Sequence, residues 1–288
     1  MTALTIGALL DELAASLVGP GVPPARAAAR DVIAGVLDRP RFWPSAHRDD
    51  PLDAATLAAI RGAAARLGEG MPIQYAIGRA TFRHLTLAVD RRVLIPRPET
   101  ELLVDLVLAA QRGGSGTVVD VGTGSGAIAL ALASEGAFDR VIGTDLSADA
   151  IAVATANLGA IATDRRARVE FLVGDLLAPI GGLRVDTIVS NPPYISPAEE
   201  AELPQVVRDW EPPSALFAGE DGMAAIRALV PQAAAALRPG GLLALEVDSR
   251  RSTLAAAAVS QEGRFTEVET RNDLTGRPRF VMARRQEL

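Results

Sequence analysis

After residue 113 the chain alternates apolar runs with helical stretches, and this alternation constrains the fold more than any other feature. The segments are, in order, Thr117–Val121, Ala127–Ser134, Arg140–Thr144, Ala148–Leu158, Val169–Val173 and Val185–Ser190. Continuous apolar strands that alternate with helices are typical of a parallel sheet covered by helices on both faces. We therefore predict an α/β fold, doubly wound around a parallel sheet, for this part of the chain.

The C-terminal part predicts how this sheet ends. Leu242–Val247 reads as a further strand after a proline-bearing helix around Met223–Leu237. Phe265–Thr270 and Arg279–Ala283 follow, and residues 272–276 between them are rich in turn formers. An antiparallel pair is therefore predicted at the edge of the sheet.

The N-terminal part follows a different pattern. Apolar residues recur at helical spacing in Leu4–Val18, Pro24–Leu37 and Leu52–Leu67. This spacing predicts a small helical domain over residues 1–72.

Two short segments, Thr81–Arg83 and Leu85–Val89, then alternate apolar with polar residues. Such alternation predicts a β-hairpin, within a linker over residues 73–95. The α/β domain would occupy residues 96–288 and would open with a helix over Glu99–Gln111.

Charge and composition narrow the class of protein. The net charge of −6 and the isoelectric point of about 5.1 disfavour non-specific attraction to nucleic acid. There is no cysteine, and His47 and His84 are the two histidines, so we expect no disulfide and no metal site. No signal peptide or membrane-length apolar run is recognisable, which predicts a cytoplasmic protein. We expect a monomer without direct nucleic-acid or membrane partners.

The tetrapeptide Asn191-Pro192-Pro193-Tyr194 directly follows the strand Val185–Ser190. Proline donates no N–H and disfavours helical conformation in the residue before it, so the strand must end in a stiff loop. That loop lies at the carboxyl edge of the sheet, where open α/β folds bind ligands. Its amide, carbonyls and aromatic ring suit a planar –NH2 group, whose hydrogens the oxygens would accept. The alternative is that the two prolines only turn the chain after the strand and that the loop binds no ligand.

The segment Gly122-Thr123-Gly124-Ser125-Gly126 leaves the first strand just before a helix. Glycine there lets the backbone turn tightly and approach a ligand closely. The spacing is G-x-G-x-G, whereas dinucleotide sites carry G-x-G-x-x-G. A tight strand-to-helix turn without a ligand is the alternative.

Acidic residues follow the next two strands. Asp145 ends the second strand, about 20 residues after the glycines, where a carboxylate can accept the hydrogens of ribose hydroxyls. Asp175 and Leu176 follow the third strand. Either Asp alone could cap a helix or sit in a turn. Together with the glycines and Asn191, they predict one crevice with a cofactor on one side and a target on the other.

The compressed glycine spacing is similar to the nucleoside-binding loop of S-adenosylmethionine-dependent methyltransferases. The chain more specifically resembles the HemK family of protein N5-glutamine methyltransferases, which act on peptide chain release factors. Besides Asn191–Tyr194, the segments that carry this resemblance are Pro72–Gly78, Val93–Glu101, Ala218–Gly222 and Asp273–Arg279. In one place the chain departs from the family: residues 248–251 read Asp-Ser-Arg-Arg, where members usually carry a Gly and later a Gln.

The resemblance implies a Rossmann-like methyltransferase sheet, S-adenosyl-L-methionine as the cofactor and S-adenosyl-L-homocysteine as the product. The protein substrate would be a class 1 peptide chain release factor, methylated on N5 of the glutamine in its Gly-Gly-Gln motif. Asn191 and Pro192 would accept hydrogen bonds from the target amide, Tyr194 would pack on its plane, and Pro193 would complete the substrate site. The cofactor would contact Gly122, Thr123, Gly124, Ser125, Gly126, Asp145, Asp175, Leu176 and Asn191. The helical N-terminal domain would recognise the substrate.

Other functions remain as alternatives. An adenine-N6 methyltransferase of DNA or RNA uses the same tetrapeptide on a planar –NH2 group. The acidic balance and the expected lack of a basic segment interleaved with aromatic residues disfavour it. A non-catalytic protein that docks onto translation factors is disfavoured by the intact glycine and Asn-Pro-Pro-Tyr motifs. A nucleotide-dependent oxidoreductase is disfavoured by the glycine spacing.

Overall fold

The computed structural model describes residues 4–17, 24–111, 115–161 and 168–287. Contacts divide the chain into two compact units. The first unit comprises Met1–Ala80, Val89–Arg91 and Pro204–Trp210, and the second comprises Thr81–Ala88, Arg92–Leu203 and Glu211–Leu288. Over the described ranges, no helix is both long and apolar enough to cross a membrane.

The first unit is helical. Its elements are α1 (Ile6–Ser16), α2 (Ala25–Leu37), α3 (Trp43–Ala46), α4 (Ala54–Gly68), α5 (Ile73–Ile77) and the later α9 (Gln205–Trp210). The side chains of Thr5 and Asp53 cap α1 and α4 by accepting backbone N–H groups three residues on. Apolar faces of α1, α2 and α4 meet in one buried cluster. The three helices predicted here are confirmed; the predicted end of the first, Val18, lies outside the described residues.

An arginine and aromatic cluster lies on the surface of this unit. Phe42 is 65% exposed, and the guanidinium of Arg30 lies 4.6 Å from its ring centre. The guanidinium of Arg39 lies 5.5 Å from the ring centre of Trp43, which stacks on His47 at 3.9 Å. The expectation that no basic segment is interleaved with aromatic residues is therefore wrong for residues 39–43.

The second unit is built on a sheet. Its elements are α6 (Pro98–Ala110), β3 (Thr117–Val121), α7 (Ala127–Glu135), β4 (Arg140–Asp145), α8 (Ala148–Ala156), β5 (Arg168–Val173), β6 (Val185–Ser190), α10 (Ala224–Ala236), β7 (Leu237–Glu246), α11 (Ser252–Gln261), β8 (Phe265–Asn272) and β9 (Pro278–Arg285). Ahead of them β1 (Arg79–Phe82) and β2 (Leu85–Ala88) form a separate two-stranded sheet, as the alternating pattern predicted.

The described strands β3 to β9 form one seven-stranded sheet in the order β5-β4-β3-β6-β7-β9-β8. The pairs among β3 to β7 are parallel, whereas β9 pairs antiparallel with both β7 and β8. One apolar cluster packs α6 and α7 against the sheet, and another packs α10 and α11. Both the doubly wound sheet and its antiparallel edge are confirmed.

The strand register brings the predicted site residues to one edge of the sheet. Val121 is opposite both Thr144 and Ser190, and Asp145 is opposite Val173. The chain runs outward from β3 to β5 and then returns to β6 on the other side of β3. This change of direction opens a crevice between the ends of β3 and β6, which is the usual ligand site of such sheets.

Candidate active site

The glycine loop after β3 is open toward the crevice. Gly122, Gly124 and Gly126 have φ angles of 73°, 54° and 81°, a region that residues with a side chain rarely adopt. The N–H groups of Gly122 and Thr123 donate to the carbonyl of Thr144, at 2.8 and 2.9 Å. Nothing lies within 4 Å of the position that a Cβ would take at Gly122 or Gly124. The loop therefore fits a ligand that lies directly against its backbone.

A buried carboxyl at Asp120 holds this loop in place. One oxygen, Oδ2, accepts from the hydroxyl of Thr123 at 2.7 Å and from the N–H of Ala129, in the first turn of α7, at 3.1 Å. The other oxygen has no partner among the described residues. Burial raises the pKa of Asp120 to about 7, and the nearby charge of Asp145 adds to the shift. Asp120 thus joins the end of β3, the loop and the start of α7.

Asp145, at the end of β4, accepts hydrogen bonds with both of its oxygens. Gly124 donates to Oδ2 and Ser147 to Oδ1, each at 2.9 Å. A carboxylate has about four acceptor positions, so Asp145 keeps lone pairs for a ligand. After β5, Asp175 and Leu176 turn into the same crevice, and Leu176 has a φ angle of 46°.

These strand ends enclose a cleft of about 280 Å³. The predicted residues that line it are Gly122, Gly124, Asp145, Asp175, Leu176, Asn191 and Pro193. It is also lined by residues for which the sequence predicts no role in a site: Arg92, Val93, Leu94, Val121, Thr144, Leu146, Ser147, Ala150, Pro212, Ser214 and Ala215. Its size suits a nucleoside-sized molecule.

Three residues of the glycine segment support the loop without lining the cleft. Thr123 binds Asp120, as described above, and the carbonyl of Ser125 accepts from the side chain of Asn157 at 2.9 Å. A Cβ at Gly126 would lie 3.1 Å from the ring of Phe171, so this glycine permits close packing. Pro192 and Tyr194 are likewise not among the cleft-lining residues.

Asn191 follows β6, and its side chain is hydrogen-bonded to α6. Its Nδ2 donates to the hydroxyl of Thr100, on α6, at 3.2 Å. The carboxyl of Glu246, the last residue of β7, is 1% exposed, and the hydroxyl of Thr100 and the charge of Arg279 both favour its ionised form. Oε1 of Glu246 lies 3.7 Å from Nη1 of Arg279, and Oε2 has no partner among the described residues. Burial raises the pKa of Glu246 to about 7.

Tyr194 lies in the same electrostatic environment. Burial raises the pKa of its phenol to about 12, and the charge of Glu246 contributes, while Arg279 opposes the shift. The phenol is therefore neutral at any physiological pH. The next residue, Ile195, donates its N–H to the carbonyl of Leu216 and accepts from Ala218, both at 2.9 Å, which fixes the exit of the loop.

No motif in the sequence assigns a role to Asp120, Thr100, Glu246 or Arg279. A usable signal was present for two of them, because Asp120 and Glu246 are acidic residues inside apolar strand segments. Such a residue costs free energy on burial unless it is paired or serves a function. Thr100 lies in a predicted helix and Arg279 in a predicted strand, and neither carries a local signal of a role in the site.

Curated relatives match most of this chain. A release factor glutamine methyltransferase of Mycolicibacterium smegmatis is 44% identical over 237 residues, which cover 82% of this chain and 83% of that protein. The corresponding protein of Moorella thermoacetica is 40% identical over 287 residues, which cover 99% of this chain and 100% of that protein. The chain belongs to the release factor glutamine methyltransferase family. The resemblance read from the sequence is thereby confirmed.

Family models support the same assignment, and a solved structure shares the fold. A model described as the methyltransferase small domain matches residues 98–208, and one described as the PrmC N-terminal domain matches residues 8–78. A methyltransferase structure from Pyrococcus furiosus shares the fold at 16% identity with a TM-score of 0.53, over 82% of this chain and 100% of that one. As a member of this family the chain is a methyltransferase, and its methyltransferase domain implies S-adenosylmethionine as methyl donor.

Proposed function

We propose that this enzyme methylates N5 of the glutamine in the Gly-Gly-Gln motif of a class 1 peptide chain release factor. The observation that carries the proposal is the position of Asn191-Pro192-Pro193-Tyr194. This loop leaves β6 next to the glycine loop of β3, and both loops contribute to one cleft. Membership of the release factor glutamine methyltransferase family supports glutamine as the acceptor.

S-adenosylmethionine supplies an activated methyl group on a positively charged sulfur. The described residues fit such a molecule: the space at Gly122 and Gly124 admits close approach, and Asp145 retains acceptor positions in the cleft. We infer that Asp145 binds the ribose hydroxyls and that Asp175 and Leu176 flank the adenine. Thr123, Ser125 and Gly126 would act through the shape of the loop, and S-adenosyl-L-homocysteine would be the product.

The acceptor amide needs orientation because its nitrogen lone pair is delocalised into the carbonyl. We infer that the side-chain oxygen of Asn191 and the carbonyl of Pro192 accept the two N–H bonds of the glutamine amide. Tyr194, as a neutral ring, would pack on the amide plane. Holding the nitrogen in line with the methyl group can contribute on the order of 7–11 kcal/mol, and the fixed oxygens stabilise the positive charge that develops on it.

We further propose that residues 1–72 form the substrate-recognition domain, joined by a linker over 73–95 to a methyltransferase domain over 96–288. The exposed ring of Phe42 and the neighbouring Arg39 and Arg41 support this, because aromatic and arginine side chains dominate the binding energy of protein interfaces. The release factor would then bind both units of the chain, with no nucleic acid required. The enzyme would work as a monomer in the cytoplasm.

Peptide mass mapping tests the acceptor directly. The enzyme is incubated with labelled S-adenosylmethionine, a class 1 release factor, and DNA and ribosomal RNA in separate reactions. We expect one methyl group on the glutamine of the Gly-Gly-Gln peptide, and none on a factor in which that glutamine is replaced by alanine. Methylated adenine, with an unmodified release factor, would instead establish the nucleic-acid alternative.

A further inference from the structure

We propose that the ion pair between Arg97 and Glu211 positions one wall of the cleft and, with it, the exit of the Asn-Pro-Pro-Tyr loop. This wall belongs to residues 211–218, here called the wall segment. Neither Arg97 nor Glu211 is among the residues that line the cleft, so both are positioning residues that act through the wall segment. The inference rests on the proposed function, because the cleft is taken to hold S-adenosylmethionine and the target glutamine.

The ion pair is buried at its acidic end. Nη2 of Arg97 donates to Oε1 and Oε2 of Glu211, at 2.7 and 2.8 Å. The side chain of Glu211 is 2% exposed, whereas that of Arg97 is 33% exposed. A carboxylate removed from water is costly in free energy unless a cation and hydrogen bonds replace the water. Arg97 supplies both, so the position of Glu211 depends on Arg97.

The two partners belong to different parts of the second unit. Arg97 directly precedes α6, which packs against the sheet through a buried apolar cluster. Glu211 is the first residue of the second unit after Pro204–Trp210, which belong to the first. The ion pair therefore fixes the first residue of the wall segment to the start of α6.

The wall segment is stiff after Glu211. Pro212 and Pro213 restrict its backbone, and a 3₁₀ turn over Pro213–Ala215 follows. The N–H of Ala215 donates to the carbonyl of Pro212 at 2.9 Å. Three residues of the wall segment line the cleft: Pro212, Ser214 and Ala215. A displacement of Glu211 would therefore move this part of the wall as a body.

The same segment holds the exit of the Asn-Pro-Pro-Tyr loop. Ile195 directly follows Tyr194. Its N–H donates to the carbonyl of Leu216, and its carbonyl accepts from the N–H of Ala218, both at 2.9 Å. Ile195 also forms a parallel bridge with Phe217. Displacing the wall segment would therefore disturb the cleft and the loop proposed to grip the target amide together.

The first test removes one partner at a time. We expect Arg97→Met and Glu211→Leu each to lower kcat about 10-fold or more, because small misplacements of reacting groups cost up to about 10²-fold in rate. Arg97→Met should lower the unfolding midpoint more than Glu211→Leu, since it leaves a buried carboxylate unpaired. Arg97→Lys keeps the cation and should retain more of kcat than Arg97→Met. A wild-type kcat in Arg97→Met or in Glu211→Leu overturns the proposal.

The double variant Arg97→Met/Glu211→Leu separates positioning from a purely structural role. Replacing both partners of a buried ion pair by apolar side chains often restores the stability that the loss of one partner removes. We expect the double variant to unfold near the wild-type midpoint and to keep the low kcat of the single variants, because apolar contacts do not fix the wall segment in one position. Recovery of both the midpoint and kcat contradicts the proposal.

Glu135→Leu is the matched control, because it breaks an ion pair of the same unit outside the cleft. Nε and Nη2 of Arg83 donate to the two carboxyl oxygens of Glu135, at 2.6 and 2.5 Å, and neither residue lines the cleft. We expect this variant to lower the unfolding midpoint and to keep the wild-type kcat. A loss of kcat in Glu135→Leu as large as that in Glu211→Leu overturns the proposal, whether or not the double variant regains its midpoint.

Calorimetry with S-adenosylmethionine and the enzyme alone gives a readout that does not depend on the release factor. We expect the single and double variants of the ion pair to bind it about 5-fold more weakly, as for one lost hydrogen bond, and Glu135→Leu to bind it like the wild type. If affinity behaves so and the release factor is not methylated, the proposed substrate fails and the positioning stands. If the wild type methylates the factor and the ion-pair variants bind S-adenosylmethionine as it does, the positioning fails alone.

Discussion

Two buried carboxyls make the stability of this protein depend on pH. Asp120 and Glu246 are 0% and 1% exposed, and each has one oxygen without a partner among the described residues. Burial disfavours the charged form, so both pKa values rise to about 7 from ordinary values of 3.8 and 4.5. The folded state therefore binds these protons more tightly than the unfolded state. Their contribution to stability is full below the ordinary pKa and is lost as pH rises through about 7.

Replacing Asp120 by asparagine removes one of these titrations. Each unit of pKa shift corresponds to about 1.4 kcal/mol, so we expect the Asp120 carboxyl to lower the free energy of unfolding by a few kcal/mol between about pH 4 and 7. The free energy of unfolding of Asp120→Asn should fall less steeply with rising pH over this range than that of the wild type. Urea unfolding at several pH values measures both slopes. Parallel curves for the two proteins would contradict the assigned pKa.

Asp145 allows a prediction about cofactor binding. We expect Asp145→Ala to weaken the binding of S-adenosylmethionine by about 1–3 kcal/mol, because charge-assisted hydrogen bonds to the ligand are lost. Asp149→Ala is the matched control, since Asp149 is exposed on α8 and does not line the cleft. Calorimetry on the three proteins gives the comparison. Unchanged affinity in Asp145→Ala, or tight binding of NAD, would disprove the assignment.

At the scale of elements, the strands were predictable and the connections between them were not. The apolar runs predicted β3 to β6 closely, because buried parallel strands are apolar on both faces. β7 begins at Leu237 rather than at the predicted Leu242, since Leu237 pairs with Val185 across a bulge. The short 3₁₀ turns at Pro197–Glu202 and Pro213–Ala215, and the helix α9, have no periodic pattern to reveal them.

The parts of the candidate site that the sequence predicts are those at strand ends. Asn191, Asp145 and the glycines follow directly from strand ends, so the sequence places them at one edge. The contact of Asn191 with Thr100 joins residues 91 positions apart. The position of Glu246 next to the end of β6 depends on β7 lying beside β6, and that of Arg279 depends on β9 inserting between β7 and β8. Local sequence patterns do not carry that information.

The loop over residues 248–251, which departs from the family, contacts two neighbouring segments through Arg251. Arg251, which is 7% exposed, donates to the carbonyl of Asp221 at 2.9 Å and pairs with Glu199. Glu199 accepts the N–H of Ser196, two residues after Tyr194, at 2.9 Å. Through Glu199, Arg251 therefore links the start of α11 to the segment that follows the Asn-Pro-Pro-Tyr loop.

The two arginines of this loop should differ strongly in their effect on stability. Arg251→Ala removes a buried guanidinium that serves the carboxylate of Glu199 and the carbonyl of Asp221, so we expect a loss of about 1–3 kcal/mol. Arg250→Ala is the control, because Arg250 pairs with Glu199 and Glu202 from an exposed position, worth under about 1 kcal/mol. Denaturant unfolding measures both. Equal losses of unfolding free energy in the two variants would contradict the structural role given to Arg251.

At the scale of the whole molecule, the two units are proposed to divide cofactor chemistry from substrate recognition. A deletion of the first unit must keep residues 81–88, because Phe82, Leu85 and Leu87 belong to the buried core of the second unit. Point variants of the full chain avoid this difficulty. They also leave the cleft intact, since none of the residues 30–43 lines it.

We expect Phe42→Ser to raise KM for the release factor by about 10-fold or more, as for the loss of an aromatic contact at an interface. Cofactor affinity and kcat should be little changed. Leu254→Ser is the matched control, since Leu254 is exposed at a similar level, 52%, on α11 of the second unit. Steady-state kinetics with the intact factor measures the difference. An unchanged KM in Phe42→Ser would remove this surface from the recognition site.

The most direct test of the account is the rate of glutamine methylation by Asn191→Ala in a single turnover, with the methylated peptide identified by mass. Loss of the side-chain oxygen leaves one N–H of the target amide without an acceptor. Small misplacements of reacting groups cost on the order of 10²-fold in rate, so we predict a loss of at least that size. Binding of S-adenosylmethionine should change far less than the rate, and the unfolding midpoint should stay close to wild type. Wild-type rates of glutamine methylation in Asn191→Ala would contradict the central claim.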